Sequence, residues 1–465
     1  MNAELKESET SGHESLNLLL FVCCLGQFMV VLDASIVNVA LPQMQRGLGL
    51  SATQLQWVIN AYTVIFAGFL LTGGRFADLF GRRRVFLAGT FAFTLASLAA
   101  GVAQDSSTLL IARGVQGLGG AVLAPATLAI VFTSFTDEGQ RMKAFGSWSA
   151  AAAGAGAIGA LLGGIITEWA SWRWVFLINL PIGVVLLLMG MRTIPDSASQ
   201  ESSQRIDLVG AALITAGLMA GVYGVVEGSH SGWGGDRPTV FLGVGILLIL
   251  LFLVNEAKFA ASPLVPLSIF RNRSVTGANI ISMTSSGVLI GVFFIMTLLL
   301  QFVYNLSALE TGLAYLPLAV TIVGASRWGA PMALKKYGPK PVLIAASLLA
   351  FLGLLWFSRV NADGSFWADV LGPTILFGAG QGLASASVTT AGTTNVPYTQ
   401  AGLVSGLLNA SRQIGGALLL AILAAVAGDL RPGGSIDPYQ KSMFVASMFP
   451  LVGLAAAFLI PRKTE

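Results

Sequence analysis

The sequence predicts an all-α integral membrane protein of fourteen transmembrane helices. Three observations carry that prediction: the composition, a series of apolar runs of spanning length, and an uneven distribution of basic residues. Of the 465 residues, 55% are hydrophobic and 10% are charged, where a soluble protein carries about 25% charged residues. Mean hydropathy is +0.77. So few charges cannot coat a water-exposed surface. The 55 glycines are in excess of the usual ~7% and suit close contacts between membrane helices.

The composition also excludes several chemistries. Cys23 and Cys24 are adjacent and cannot frame a disulfide scaffold or a zinc site. His13 and His230 lie in polar stretches, so no histidine metal site is expected. No G-x-x-x-x-G-K-[ST] loop occurs, so nucleotide hydrolysis does not drive the protein directly. An enzyme activity, a cofactor and a nucleic-acid partner are not expected.

Runs long enough to span a bilayer, about 20 apolar residues each, fall at 17–40, 53–73, 85–103, 108–131, 144–166, 174–192, 207–226, 239–256, 276–303, 311–330, 341–358, 368–393, 402–426 and 441–460. The first follows an acid-rich segment, residues 1–16, where an export signal would have a basic head. That segment reads as a cytoplasmic tail. With the amino terminus inside, 17 of the 26 Lys and Arg residues fall in cytoplasmic segments and 6 in external ones. Cytoplasmic loops collect positive charge in this way. Both termini then lie in the cytoplasm, and 461–465 is a second short tail.

Three sequence echoes suggest an internal repeat. Gly81, after the second run, matches Gly338 after the tenth; Gln116-Gly117-Leu118 matches Gln381-Gly382-Leu383; Gly159 matches Gly415. The offsets are similar and divide the chain into an amino-terminal six-helix bundle, 17–192, and a carboxy-terminal one, 276–460. An extra helix pair, 207–256, sits between them, flanked by linkers at 193–206 and 257–275. Parallel repeats with a cleft between them suit alternating access around a site near the membrane midplane.

Asp33 is the most informative residue. It lies inside the first apolar run, nine residues before Pro42 and so about 13 Å deep in a helix. A carboxylate at that depth is a functional candidate by default. Arg113, six residues into the fourth helix, lies at similar depth on the same side, and Gln116 shares its face. The two charges can form a switch that an arriving proton opens, or a static pair that fixes helix packing.

The segment Gly73 to Arg84 reads as the second connector. Gly74 and Gly81 would permit a tight turn, and Arg82 to Arg84 set orientation. Asp78 is not explained by orientation, because acids contribute little to it. The fifth helix carries Gly154, Gly159, Ala160, Gly163 and Gly164, a density that lets helices approach closely. Trp57, Asn60, Tyr62, Phe66, Gln116, Phe145, Trp148, Met283, Phe293, Phe294, Met296, Gln301, Asn409, Arg412 and Gln413 are candidate cavity residues, since aromatic and Met side chains accommodate varied apolar ligands. Arg412, near midplane depth, could meet an anionic group or hold a carbonyl.

Together the strings Leu32 to Pro42, Gly74 to Arg84, Leu109 to Ala121, Trp172 to Gly183 and Ser405 to Gly416 resemble the major facilitator superfamily, and within it the fourteen-helix drug–proton antiporters. The resemblance covers about residues 17 to 460. It implies a fold of two six-helix bundles plus a central extra pair. It further implies export of amphipathic drugs or antibiotics across the cytoplasmic membrane, coupled to a proton gradient, by a monomer in the lipid bilayer. The alternative is a carrier for a defined small metabolite. By the same resemblance Asp33 is the proton site and Arg113 its partner, while Gly74, Asp78, Gly81 and Arg82 form a conformational switch. Asp78 would dock near Gly402. Gly154 to Gly164 is the antiporter motif, with one departure: Ala160 stands where the family has proline. The second-half loop has Lys335 where an acid would align with Asp78.

Overall fold

The computed structural model describes residues 2–461 except 136, 197–206, 233–234, 262, 394–395, 397, 429 and 431–433. Side chains at 2–15, 71, 75, 78, 138–139, 141–142, 145, 149, 153, 157, 229–231 and 398–402 also lie outside the description. The described residues form helices and connecting turns, without strands. Fourteen helical rods follow in order: α1 (Asn2–Leu48), α2 (Ala52–Phe80), α3 (Arg82–Gly101), α4 (Ser106–Ser134), α5 (Glu138–Trp169), α6 (Trp174–Thr193) and α7 (Leu208–Ser231). Then come α8 (Asp236–Phe259), α9 (Arg273–Val303), α10 (Ala308–Tyr337), α11 (Pro339–Phe357), α12 (Leu371–Thr393), α13 (Tyr398–Ala427) and α14 (Asp437–Ala457). Twelve of these are long and apolar enough to cross a membrane by length and composition. The other two are α2 and α12, of 29 and 23 residues.

Polar caps mark several starts. Ser51 and Gln54 make a reciprocal capping box before α2, as Ser307 and Glu310 do before α10. Each box pairs two backbone N–H groups that a helix start leaves without partners. Asp105 caps α4, accepting from the Thr108 amide at 2.9 Å and the Thr108 hydroxyl at 2.7 Å.

Two boundaries differ from the sequence reading. The first helix runs past the expected 17–40: its backbone is helical from Asn2 and continues through Pro42 to Leu48. The expected connector from Gly73 is also mostly helical. Gly74 sits within α2, and the break is Gly81 alone, with φ of 88°. Gly73 is small for another reason: a Cβ there would lie 2.1 Å from the Ala121 carbonyl oxygen on α4. Glycine pairs that read as turn signals here serve helix contact instead.

The first half packs α2 on α4, α1 on α5 and α3 on α4; the second packs α9 on α13 and α11 on α12 and α14. The extra helices α7 and α8 pack on each other, and α7 rests on α2 and α13. The three sequence echoes occupy corresponding places. Gly81 and Gly338 both turn with positive φ, 88° and 76°. Gly159 brings α5 against Ser35 of α1, and Gly415 brings α13 against Met283 of α9. Gln116 bonds from α4 to α1, and Gln381 bonds from α12 to Ser285 of α9.

Contacts between the halves run where α2 meets α13 and where α5 meets α10. A Cβ on Gly164 would lie 2.6 Å from the Ala308 oxygen, and one on Gly312 2.8 Å from the Ala160 oxygen. Glu168 accepts from the Ala308 amide at 3.1 Å, and Gln301 donates to the Val39 carbonyl at 2.9 Å. At the other end of α5, Gly146 and Gly154 have open space beside them.

Candidate functional site

Asp33 is fully buried, and four helices supply its surroundings. Arg113 Nη1 lies 2.5 Å from one carboxylate oxygen. The other oxygen accepts from Gln116 Nε2 at 2.6 Å and from Asn179 Nδ2 at 2.9 Å. Arg113 also donates to Gln116 Oε1 at 2.7 Å, closing a ring of Asp33, Arg113 and Gln116. Arg113 Nε donates to the Val58 carbonyl of α2 at 2.9 Å. Ser97 of α3 lies behind, accepting from Gln116 at 2.8 Å and Asn179 at 3.4 Å. Three donors converge on the carboxyl and none of the neighbours offers it an acceptor. That arrangement suits the ionised acid, since a carboxylate only accepts.

Arg113 is also sandwiched by rings. Its guanidinium carbon lies 4.5 Å from the Tyr62 ring centroid and 5.7 Å from that of Phe176. Aromatic faces attract such a cation when it is desolvated. The site is thus a dry ion pair whose hydrogen-bonding capacity is largely met from α1, α2, α4 and α6. Adding a proton to Asp33 would remove the reason for Arg113 to stay, and the polar ring would have to rearrange.

The structure brings together Asp33, Arg113, Gln116 and Tyr62 from the sequence candidates. Gln116 therefore belongs to the carboxyl cage rather than to a cavity wall. Two members escaped sequence reasoning, Ser97 and Asn179. Asn179 stands inside the string Trp172 to Gly183, but a lone amide near a helix start carries no signal that separates it from a cap. Its Oδ1 is buried without a partner.

Other candidates lie elsewhere. Phe294 is 2% exposed in an apolar core that both halves build, with Ile36 and Leu41 from the first and Leu298 and Leu318 from the second, so it fills a core rather than lining a cavity in this state. Asn60 is buried with both amide atoms unpaired. Trp57 is partly buried, 6.4 Å from the Tyr223 ring on α7. Trp148 donates to Thr127 Oγ1 at 3.0 Å. Asn409, Arg412 and Gln413 are half-buried on α13. Gly159 and Gly163 face Ser35 and Ile36 of α1, and Ala160 and Gly164 face α10. Arg82 opens α3. The side chains of Asp78, Phe145 and residue 402 lie outside the described residues, and so does the proposed docking of Asp78 beside Gly402.

Two bundles of membrane-length helices, one of them enclosing a desolvated ion pair, define the class: a polytopic membrane transporter rather than an enzyme. The sequence model of the Major Facilitator Superfamily matches residues 23–420, and this chain belongs to that superfamily. It is 38% identical over 455 residues to the cephamycin export protein of Amycolatopsis lactamdurans, covering 98% of this chain and 93% of that protein. It is also 38% identical to the puromycin resistance protein of Streptomyces alboniger, covering 96% and 92%. Among solved structures, a POT family transporter superposes with a TM-score of 0.71 at 14% identity, covering 95% and 97% of the two chains. That last likeness concerns the fold.

Proposed function

We propose that the protein exports amphipathic drugs or antibiotics across the cytoplasmic membrane in exchange for protons. All fourteen rods would cross the bilayer, with both termini in the cytoplasm and one chain as the working unit. The observation that carries the reading is the buried Asp33–Arg113 pair with its ring of donors. The names of the relatives, a cephamycin exporter and a puromycin resistance protein, support the substrate class.

In this reading the pair is the resting, deprotonated state. A proton entering from the outer side neutralises Asp33 and frees Arg113 from its counter-charge. Gln116 and Asn179 lose their shared acceptor, and α1 shifts relative to α4 and α6. Because α5 packs on α1 along Gly159 and Gly163, that shift reaches the contact between the halves. Substrate leaves on the side that opens, and release of the proton inward resets the pair. A membrane potential of 100 mV adds about 2.3 kcal/mol per charge moved. Gly74, Asp78, Gly81 and Arg82, around the α2–α3 junction, would bias the equilibrium between the two openings. Trp57, Asn60, Tyr62, Trp148, Asn409, Arg412 and Gln413 would contact substrate.

The test is Asp33→Asn in everted membrane vesicles. Export driven by a pH gradient should disappear, while exchange of substrate between the two sides without a gradient persists. Gradient-driven export that survives the substitution would falsify the proton role of Asp33.

A further inference from the structure

The charges of the second half do not balance within the membrane. Between residues 257 and 464 the chain has five acids: Glu310, Asp363, Asp369, Asp429 and Asp437. They fall in the connections α9–α10, α11–α12 and α13–α14 or in the first turn beyond them, all at one end of the bundle. Arg412 lies fifteen residues before the α13 end at Ala427, about 22 Å from that acid-bearing end. It is also nine residues in from Leu403, where the apolar span of α13 starts, about 14 Å of helix. Among the described residues, the acids of its own half stand away from it.

The first half does not supply a partner either. Asp33 is already held by Arg113. The elements packed against α13 are α2, α7, α9, α12 and α14. Acids on them stand near helix ends: Asp78 two residues from the α2 terminus, Glu227 near the α7 terminus, and Asp437 at the α14 start. Arg113–Asp33 and Arg83–Asp196 are ion pairs, and Arg412 is in neither. The hydrogen-bond partner of the Arg412 guanidinium is Thr389 Oγ1 on α12, at 3.5 Å. A guanidinium has five N–H donors, so most of the fork is unoccupied.

The fork does not face a greasy wall. Thr389 is exposed, and Ser385, one turn earlier on α12, is exposed and meets Ser326 of α10 at 3.3 Å. Ser405, Asn409, Arg412 and Gln413 are half-buried along the same stretch of α13, while the stretch beyond it, from Ala417 to Ala424, is mostly buried. Exposed polar groups at membrane depth face a wet cavity rather than lipid. A cation in such a place, with donors free and no counter-ion, is a receptor for an anion.

We propose that Arg412 is the docking site for a carboxylate on the transported molecule, with Thr389 beside it as a second donor. The assignment rests on the efflux reading above and narrows it to substrates that carry an acidic group. The fork geometry favours a planar carboxylate, which it meets with two parallel hydrogen bonds.

Benzylpenicillin and its methyl ester form a matched probe pair that differs in that charge alone. Binding is measured by tryptophan fluorescence on the purified full chain in lipid nanodiscs, in gluconate buffer. The wild type should bind the acid at least about tenfold more tightly than the ester. Arg412→Gln should erase the preference by lowering binding of the acid to the level of the ester, and Arg412→Lys should retain part of the preference. Should the glutamine variant fail to fold, the wild-type preference and its reduction in the lysine variant still decide the matter. Equal binding of acid and ester by the wild type overturns the proposal. So does a parallel loss of both ligands in Arg412→Gln, and so does abolition of the preference when chloride replaces gluconate. Export of the ester from proteoliposomes is a separate arm. Its absence would remove the efflux reading without touching the binding result, and unselective binding would remove the carboxylate site without touching efflux.

Discussion

Asn179 and Asp33, 146 positions apart in the chain, meet at 2.9 Å in a fully buried contact between α6 and α1. The amide shares its acceptor oxygen with Gln116 and also reaches Ser97. It therefore ties the carboxyl to the helix that closes the first half.

Replacing Asn179 by Ala removes one of two donors from that oxygen. Only Gln116 then holds that oxygen, so Asn179→Ala should lower gradient-driven export in proteoliposomes several-fold while gradient-free exchange of substrate persists. An equal loss of both would point to damaged packing alone.

Removing Arg113 leaves a buried carboxylate without a counter-charge, which costs about 3–5 kcal/mol in comparable pairs. Arg113→Gln should lower the thermal unfolding midpoint clearly. Adding Asp33→Asn to it should restore much of the loss, because the double variant has no charge left to strand. Additive destabilisation by the two changes would show that the pair is not energetically coupled.

Gly312 lets α10 approach α5 where the halves touch. Gly312→Val places side-chain atoms where the Ala160 oxygen and the Gly164 Cα stand, and overpacking of that kind costs about 1–3 kcal/mol. The variant should favour the state in which this end is open. Thiol labelling of a single cysteine placed at Gln301 should become faster than in the parent. An unchanged labelling rate would mean that this contact does not hold the closed end.

Asp105 caps α4 through Thr108, and these hydrogen bonds hold its carboxyl below the ordinary aspartate range. The folded value is the lower one, so the stabilisation is present at pH above the ordinary value. It is lost as pH falls through the folded value. Asp105→Ala should therefore lower the unfolding midpoint at neutral pH and make little difference in strong acid. A deficit that stays constant down to strong acid would contradict the cap.

Much of the architecture was legible because membranes impose a coarse code. Apolar length marks a span, whatever the tertiary contacts. Asp33 and Arg113 stood out for the same reason, since a charge inside an apolar run has no inconspicuous explanation. Ser97 and Asn179 did not, because Ser and Asn occur in membrane helices as caps and packing residues, and only the fold brings them to Asp33. The helix from Gly73 to Phe80 was hidden by its glycines. Their permissive backbone suggests a turn, while the close approach of α4 that actually requires Gly73 is a long-range fact. Phe294 shows the same limit: an aromatic on a membrane helix reads alike whether it lines a cavity or fills a core.

The glycine stripe of α5 serves two partners at once, with Gly159 and Gly163 against α1 and Gly164 against α10. A rod gripped on adjacent sides by both bodies works like an axle in a bearing. Any rocking stroke must roll over this near-featureless seam, so its travel is set by how far the backbone surfaces can slide before the first bulky side chain catches. Ala160, with its methyl group and an unbroken helical backbone, keeps that seam straight. In the proposed cycle the geometry of the stroke would be written into one helix, which meets α1 at Ser35 and Ile36, two and three residues beyond Asp33.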